Sequence, residues 1–132
     1  MKQLTFNGFE QRDFETFNIE GLEKRMKAIQ ERIQPKFRAI SESLETFLAM
    51  NIGQEMYTHI AKHARRTVNP PKDTWMAFSG NKRGYKKHPH FQLGLWDDRL
   101  FVWLAYIYEL PNKEAFAQTF INHEKELHDL IP

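Results

Sequence analysis

The 132-residue chain has no cysteine. That excludes disulfides, thiolate nucleophiles and Cys-ligated zinc together, and it fits a reducing compartment. No apolar run approaches the roughly 18 residues that mark a membrane span. The opening "MKQLTFNGFEQRDF" has no apolar core of signal-peptide length. A cytoplasmic location, away from membranes, is the expectation. There is no phosphate-binding P-loop and no dinucleotide fingerprint, and no nucleophile-elbow sequence surrounds Ser79. No cofactor is therefore expected. Internal repeats and low-complexity tracts are absent too. One stretch is nearly without acidic residues: between 59 and 90 eight Lys/Arg stand against Asp73 alone.

What is present describes a packed domain. The length fits a single domain over 1–132, able to bury roughly two thirds of its unfolded surface. Aromatics make up 14% of the chain and eleven residues are Phe, which argues against disorder. The formal net charge of +2 conceals a basic middle between mildly acidic flanks, a layout that biases toward anionic partners.

Periodicity supplies the elements. Residues 1–18 hold Phe6, Phe9, Phe14 and Phe17 without a clean period and read as an arm packing its rings on the body. Leu22, Met26, Ile29, Ile33, Phe37, Ile40, Leu44 and Phe47 lie on one face at period 3.6. Pro35 interrupts them, predicting two helices or one kinked helix with Pro35 in a first turn; Asn51 and Gly53 end the run. "EMYTHIAK" alternates and reads as a strand, with a helix as the alternative. "TVNPPKD" is a loop, and "TWMAFS" at 74–79 and "HFQLGLW" at 90–96 are strands. "LFVWLAYIYE" at 100–109 is apolar on both faces, which predicts the most buried strand. Asn112 is placed to cap a last helix with the stripe Phe116, Phe120, His123, Leu127 and Leu130. The short links between strands require hairpins. The prediction is an α+β domain: an N-terminal helical pair, an antiparallel meander of about four strands, and a C-terminal helix.

The stretch "AKHARRTVNPPKDTWMAFSGNKRGYKKHPHFQLGLW" at 61–96, with "FVW" at 101–103, "IYE" at 107–109 and "FNIEGLEKRM" at 17–26, resembles the YktB-like family of uncharacterised bacterial proteins. The resemblance runs from about Phe14 to Pro132. It implies an α+β fold and no particular activity. Similar proteins continue well past the position of Pro132, so the resemblance also implies either a shortened member of a longer family or a fragment of one.

The basic block is the candidate site. "NKRGYKKHPHF" at 81–91 sets Lys82, Arg83, Lys86 and Lys87 around Gly84 and Tyr85, with His88 and His90 beyond. Lys62, Arg65 and Arg66 form a second cluster. The two clusters either converge or lie at opposite ends of the sheet. If they meet, the guanidinium groups suit phosphate or carboxylate, the glycines allow backbone N–H groups to turn toward an anion, and Tyr85 or Trp75 can stack on a base. Expected ligand-binding residues are Lys62, Arg65, Arg66, Trp75, Lys82, Arg83, Tyr85, Lys86 and His90. The expected ligand is nucleic acid or a nucleotide. Two alternatives stay open: an enzyme acting on a phosphorylated small molecule with His63 or His90 as acid/base, and a docking module for an acidic protein. A third possibility is a basic surface that serves only solubility. No metal is expected, because on a strand His59 and His63 would lie about 13 Å apart. Oligomeric state is left open.

Overall fold

In a computed structural model of the chain, residues 7–64, 67–107 and 109–131 are described. The chain is an α+β fold. A helical layer packs on one face of a four-stranded antiparallel sheet, and further helices follow the last strand.

The N-terminal arm contains a short helix α1 (Gln11–Glu15) and a 3₁₀ turn (Thr16–Asn18). The arm is held in two ways. Phe9 meets Phe37 edge to face at 6.1 Å and Phe17 enters the core. Asp13, buried, pairs with Lys36 and accepts the backbone N–H of Glu10 at 2.7 Å.

Helix α2 (Leu22–Ala28) continues through a π turn (Ile29–Ile33) into α3 (Gln34–Ile52). The widened turn falls just ahead of Pro35, where the ring crowds the carbonyl four residues back and has no N–H to give it. The Gln34 N–H reaches back five residues to the Ile29 carbonyl. One continuous, locally widened helical run thus settles the choice between two helices and a kinked one. It keeps Ile29, Ile33, Phe37 and Ile40 on a single buried stripe. Gly53 stops α3 at φ 82°, a left-handed position that glycine adopts without strain.

The strands are β1 (Tyr57–Ile60), β2 (Thr74–Ser79), β3 (His90–Leu95) and β4 (Leu100–Ala105), ordered 1-2-3-4 with every neighbour antiparallel. Met76 pairs with Leu93 and Phe78 with Phe91, so these residues turn one face of the sheet toward the helices. The other face carries His59 from β1, Trp75, Ala77 and Ser79 from β2, His90, Gln92 and Gly94 from β3, and Phe101 and Trp103 from β4.

Four expectations change. The strand read at "EMYTHIAK" and carried on to His63 ends at Ile60, and His63, at φ 53°, lies in the turn beyond it. The 100–109 run is a six-residue strand at the sheet edge rather than its most buried strand: Leu100, Val102 and Leu104 are 45, 65 and 48% exposed. The strand residues packed with the helical layer, Ile60, Met76, Phe78, Phe91, Leu93 and Leu95, come from β1–β3. The last helix is two, α4 (Lys113–Asn122) and α5 (Glu124–Leu130), and neither buries a residue. Asn112 stands at the N-cap position of α4 but makes no side-chain cap. Phe116 and Phe120 both pack on Tyr106.

Candidate functional site

The loop between β2 and β3 folds back over the sheet face that the helices leave open. Three local causes fix it. The Asn81 side-chain oxygen accepts the N–H groups of Arg83, at 2.8 Å, and Gly84, at 3.2 Å, closing a turn that Asn forms readily. The buried Ser79 hydroxyl accepts the Asn81 N–H at 3.2 Å and lies 3.2 Å from the carbonyls of Asn81 and Gly84. His59 donates from Nε2 to the Asn81 carbonyl at 2.8 Å, tying the loop to the outer strand.

Tyr85 latches the loop to three strands at once. Its ring lies 5.5 Å from His59 on β1 and 4.9 Å, edge to face, from His90 on β3. Its hydroxyl accepts the indole N–H of Trp75 on β2 at 2.8 Å. Burial raises the phenol above its ordinary value; the Trp75 hydrogen bond pulls the other way, and the charge of Glu109 adds to the rise. Tyr85 therefore stays protonated at neutral pH. His90 is 1% exposed, donates from Nδ1 to the His88 carbonyl at 2.9 Å and sets Nε2 3.2 Å from the Gln92 side-chain amide.

This folding-back makes two adjoining hollows. The larger, about 740 Å³, lies between β1 and the loop and is lined by His59, Lys62, Asn81, Arg83, Tyr85, Lys86, Lys87, His88 and Glu109, among others. The smaller, about 420 Å³, is lined by Ala61, Lys62, His63, Ala64, Trp75, Tyr85 and Lys86. Both sizes fall in the range of small-ligand sites, about 300–1,000 Å³. Lys62 and Lys86 belong to both. Among the described residues, four cationic side chains, Lys62, Arg83, Lys86 and Lys87, thus line one concavity with Glu109 as the one carboxylate on its wall.

The question of convergence is answered for Lys62: the end of β1 and the β2–β3 loop face each other across the larger hollow. Arg65 and Arg66 lie outside the described residues. Lys82 is exposed on the loop but does not line that hollow. Trp75 lines the smaller one, with His63 edge-on at 5.3 Å; the His63 Nε2 is 3.1 Å from the Thr74 hydroxyl. Lining residues outside the expected ligand-binding set are His59, Asn81, Lys87, His88 and Glu109, of which Asn81, Lys87 and His88 stood within the basic block already singled out. The Asn-x-x-Gly spacing after Ser79 was a signal for the turn at Asn81. The reach of Glu109, far along the chain, had none.

Among the described residues no three His, Asp or Glu side chains gather as a metal site, and no helix is long and apolar enough to cross a membrane.

The chain has an α+β fold, with two adjoining hollows on the open face of its sheet whose lining includes Lys62, Arg83, Lys86 and Lys87. The family described as "Domain of unknown function (DUF1054)" matches residues 9–132, and the chain belongs to it. It is 64% identical over 122 residues to a UPF0637 protein of Exiguobacterium sibiricum, covering 92% of this chain and 60% of that one. It is 64% identical over 124 residues to a UPF0637 protein of Oceanobacillus iheyensis, covering 94% and 60%. A UPF0637 protein of Listeria monocytogenes is 55% identical over 127 residues, covering 96% and 62%. The chain thus spans about three fifths of the length of these relatives. The resemblance carried by the central motif is upheld: this is an uncharacterised bacterial family.

Proposed function

We propose that the domain binds a phosphate-bearing ligand, a nucleotide or nucleic acid, in the double hollow between β1 and the β2–β3 loop. The observation that carries this reading is the meeting of Lys62 with Arg83, Lys86 and Lys87 around one concavity, from segments about twenty residues apart in sequence. Exposed cations gathered around one concavity attract anions, and phosphate is a counter-charge that Lys and Arg serve well.

In this reading Lys62, Arg83 and Lys86 contact phosphate, with Lys87 at the rim. Arg65 and Arg66 follow Lys62 in sequence and lie outside the described residues; with Lys82 they add positive charge that attracts an anion at long range. Trp75 stacks on a base seated in the smaller hollow. Tyr85 and His90 position the loop, since the Tyr85 ring is packed by two histidines and His90 is buried.

The test is fluorescence anisotropy with labelled single- and double-stranded oligonucleotides and with a labelled nucleotide, across a salt series. Four phosphate contacts on duplex give a slope of log K against log salt of roughly −3.6, and on single strands roughly −2.8. Binding of the nucleotide alone, with turnover, would favour an enzyme on a phosphorylated small molecule. No binding of any probe at low salt would overturn the reading and leave an acidic protein as the partner to seek.

A further inference from the structure

The edge strand β4 carries an apolar face that the described residues leave about half exposed. Leu100, Val102 and Leu104 pair with Leu95, Leu93 and Phe91 of β3 and point to the same side of the sheet. On β3 that side is packed against the helices, with Leu95 fully buried; on β4 the three side chains are about half exposed. Trp103, on the opposite face of the same strand, is 44% exposed. As the last strand in the order, β4 also presents a row of backbone groups that no neighbouring strand pairs among the described residues. An edge that is apolar and uncovered invites association, and folded proteins cover or charge such edges. The helices that follow do not cover it, because α4 and α5 bury none of their own residues.

The relatives supply the occupant. A match of 122 residues at 60% of the Exiguobacterium protein leaves roughly 80 residues of that chain outside the match. We propose that this unmatched segment of the longer family chain packs an apolar helix against Leu100, Val102 and Leu104, extending the helical layer over β4. The dimensions agree. Six strand residues span about 20 Å, and a helix of about 13 residues has the same length. Roughly 80 residues are ample for that and for a strand pairing with the free edge. The inference is independent of what the basic hollow binds.

The absence of cysteine gives a clean probe. Val102→Cys and Leu104→Cys are made singly, with Val68→Cys as the exposed control, Val68 being 76% exposed. Each is made in the 132-residue chain and in that chain extended by the unmatched residues of the Exiguobacterium protein, joined at the end where they stand in it. Maleimide labelling at 102 and 104 should run at the control rate in the short chain. In the extended chain it should slow at least tenfold at both sites while the control is unchanged. Equal rates in the two chains would overturn the proposal. So would protection already present in the short chain with a dimeric mass in solution, because a second copy would then be the occupant. Should the joined chain fail to fold, hydrogen exchange on the intact Exiguobacterium protein decides. Protection of its matching strand well above that of β4 in the short chain supports the segment as cover, and equal protection rejects it.

Discussion

Removing the Tyr85 ring should unfasten the basic loop at a cost readable in the melting temperature. Tyr85→Ala deletes a half-buried ring, two contacts with histidine rings and the acceptor of the Trp75 indole N–H. Half-burial of a ring this size contributes about 1 kcal/mol. The two ring contacts, tilted with His59 and edge to face with His90, add about 0.5 kcal/mol each at the low end of the range. The hydrogen bond adds about 1 kcal/mol. The sum is roughly 3 kcal/mol. In a chain of this length that lowers Tm by roughly 10 °C. Tyr85→Phe keeps the ring and loses only the acceptor, so its loss is about 1 kcal/mol, or roughly 3 °C. The assay is thermal unfolding by circular dichroism, with hydrogen exchange at the Arg83 and Gly84 amides as the local readout. Those amides should exchange faster in Tyr85→Ala and nearly as in the parent in Tyr85→Phe. A Tyr85→Ala protein melting within 2 °C or so of the parent, with Arg83 and Gly84 still protected, would refute the role of Tyr85 as the latch.

Two further outcomes follow from the same geometry. A Cβ at Gly94 would stand 2.3 Å from the Phe101 ring and 2.6 Å from the Thr74 carbonyl oxygen, so Gly94→Ala should destabilise by about 1–3 kcal/mol even though alanine is ordinarily the better strand residue; an unchanged denaturant midpoint would contradict the packing of Phe101 over Gly94. Alkaline stability should fall from about pH 10 upward: burial holds the Tyr85 phenol above its ordinary value of 10.0, so in that window the folded chain keeps a proton that the unfolded chain has released, and stability declines until the folded group also ionises. Tyr57, through its hydrogen bond to Glu55, and Tyr106, through burial, contribute with the same sign, so Tyr85→Phe should flatten only part of the decline, measured as urea midpoints between pH 8 and 11.

The fold was legible where residue type and burial coincide. The stripe from Leu22 to Phe47 announced the helical layer, and Ile29, Ile33, Phe37 and Ile40 are buried on it. "TWMAFS" is β2 to the residue. The hairpin argument gave the 1-2-3-4 meander, because short links leave no room for crossovers. "LFVWLAYIYE" was misleading for a physical reason. An apolar run records that both faces are suited to burial, and the same run serves a central strand or an edge strand whose cover lies elsewhere in the chain. The π turn was not legible beyond the proline that provokes it.

At the site, the sequence marked the charges but not their meeting. Lys62 reaches Arg83, Lys86 and Lys87 because the β1–β2 pairing, Tyr57 to Ser79 through Ile60 to Met76, sets the loop that leaves β2 beside β1. Once the loop folds back over the sheet it comes to face the far end of β1 as well. That fold-back depends on Asn81, Ser79 and His59, whose bonds are between side chain and backbone and leave little trace in composition. Tyr85 looked like a stacking platform by its place among lysines; its neighbours make it a fastener.

The most direct test of the account is where an anion lands. Amide chemical shifts of the ¹⁵N-labelled chain, followed during titration with pyrophosphate at low salt, should move in saturable fashion at residues 59–64 and 81–88. They should stay fixed on β4 and α4, and the shifts should collapse in a Lys62→Ala/Lys86→Ala variant that melts like the parent. Shifts scattered over every surface lysine, or unchanged in that variant, would contradict the claim that the double hollow is a phosphate site.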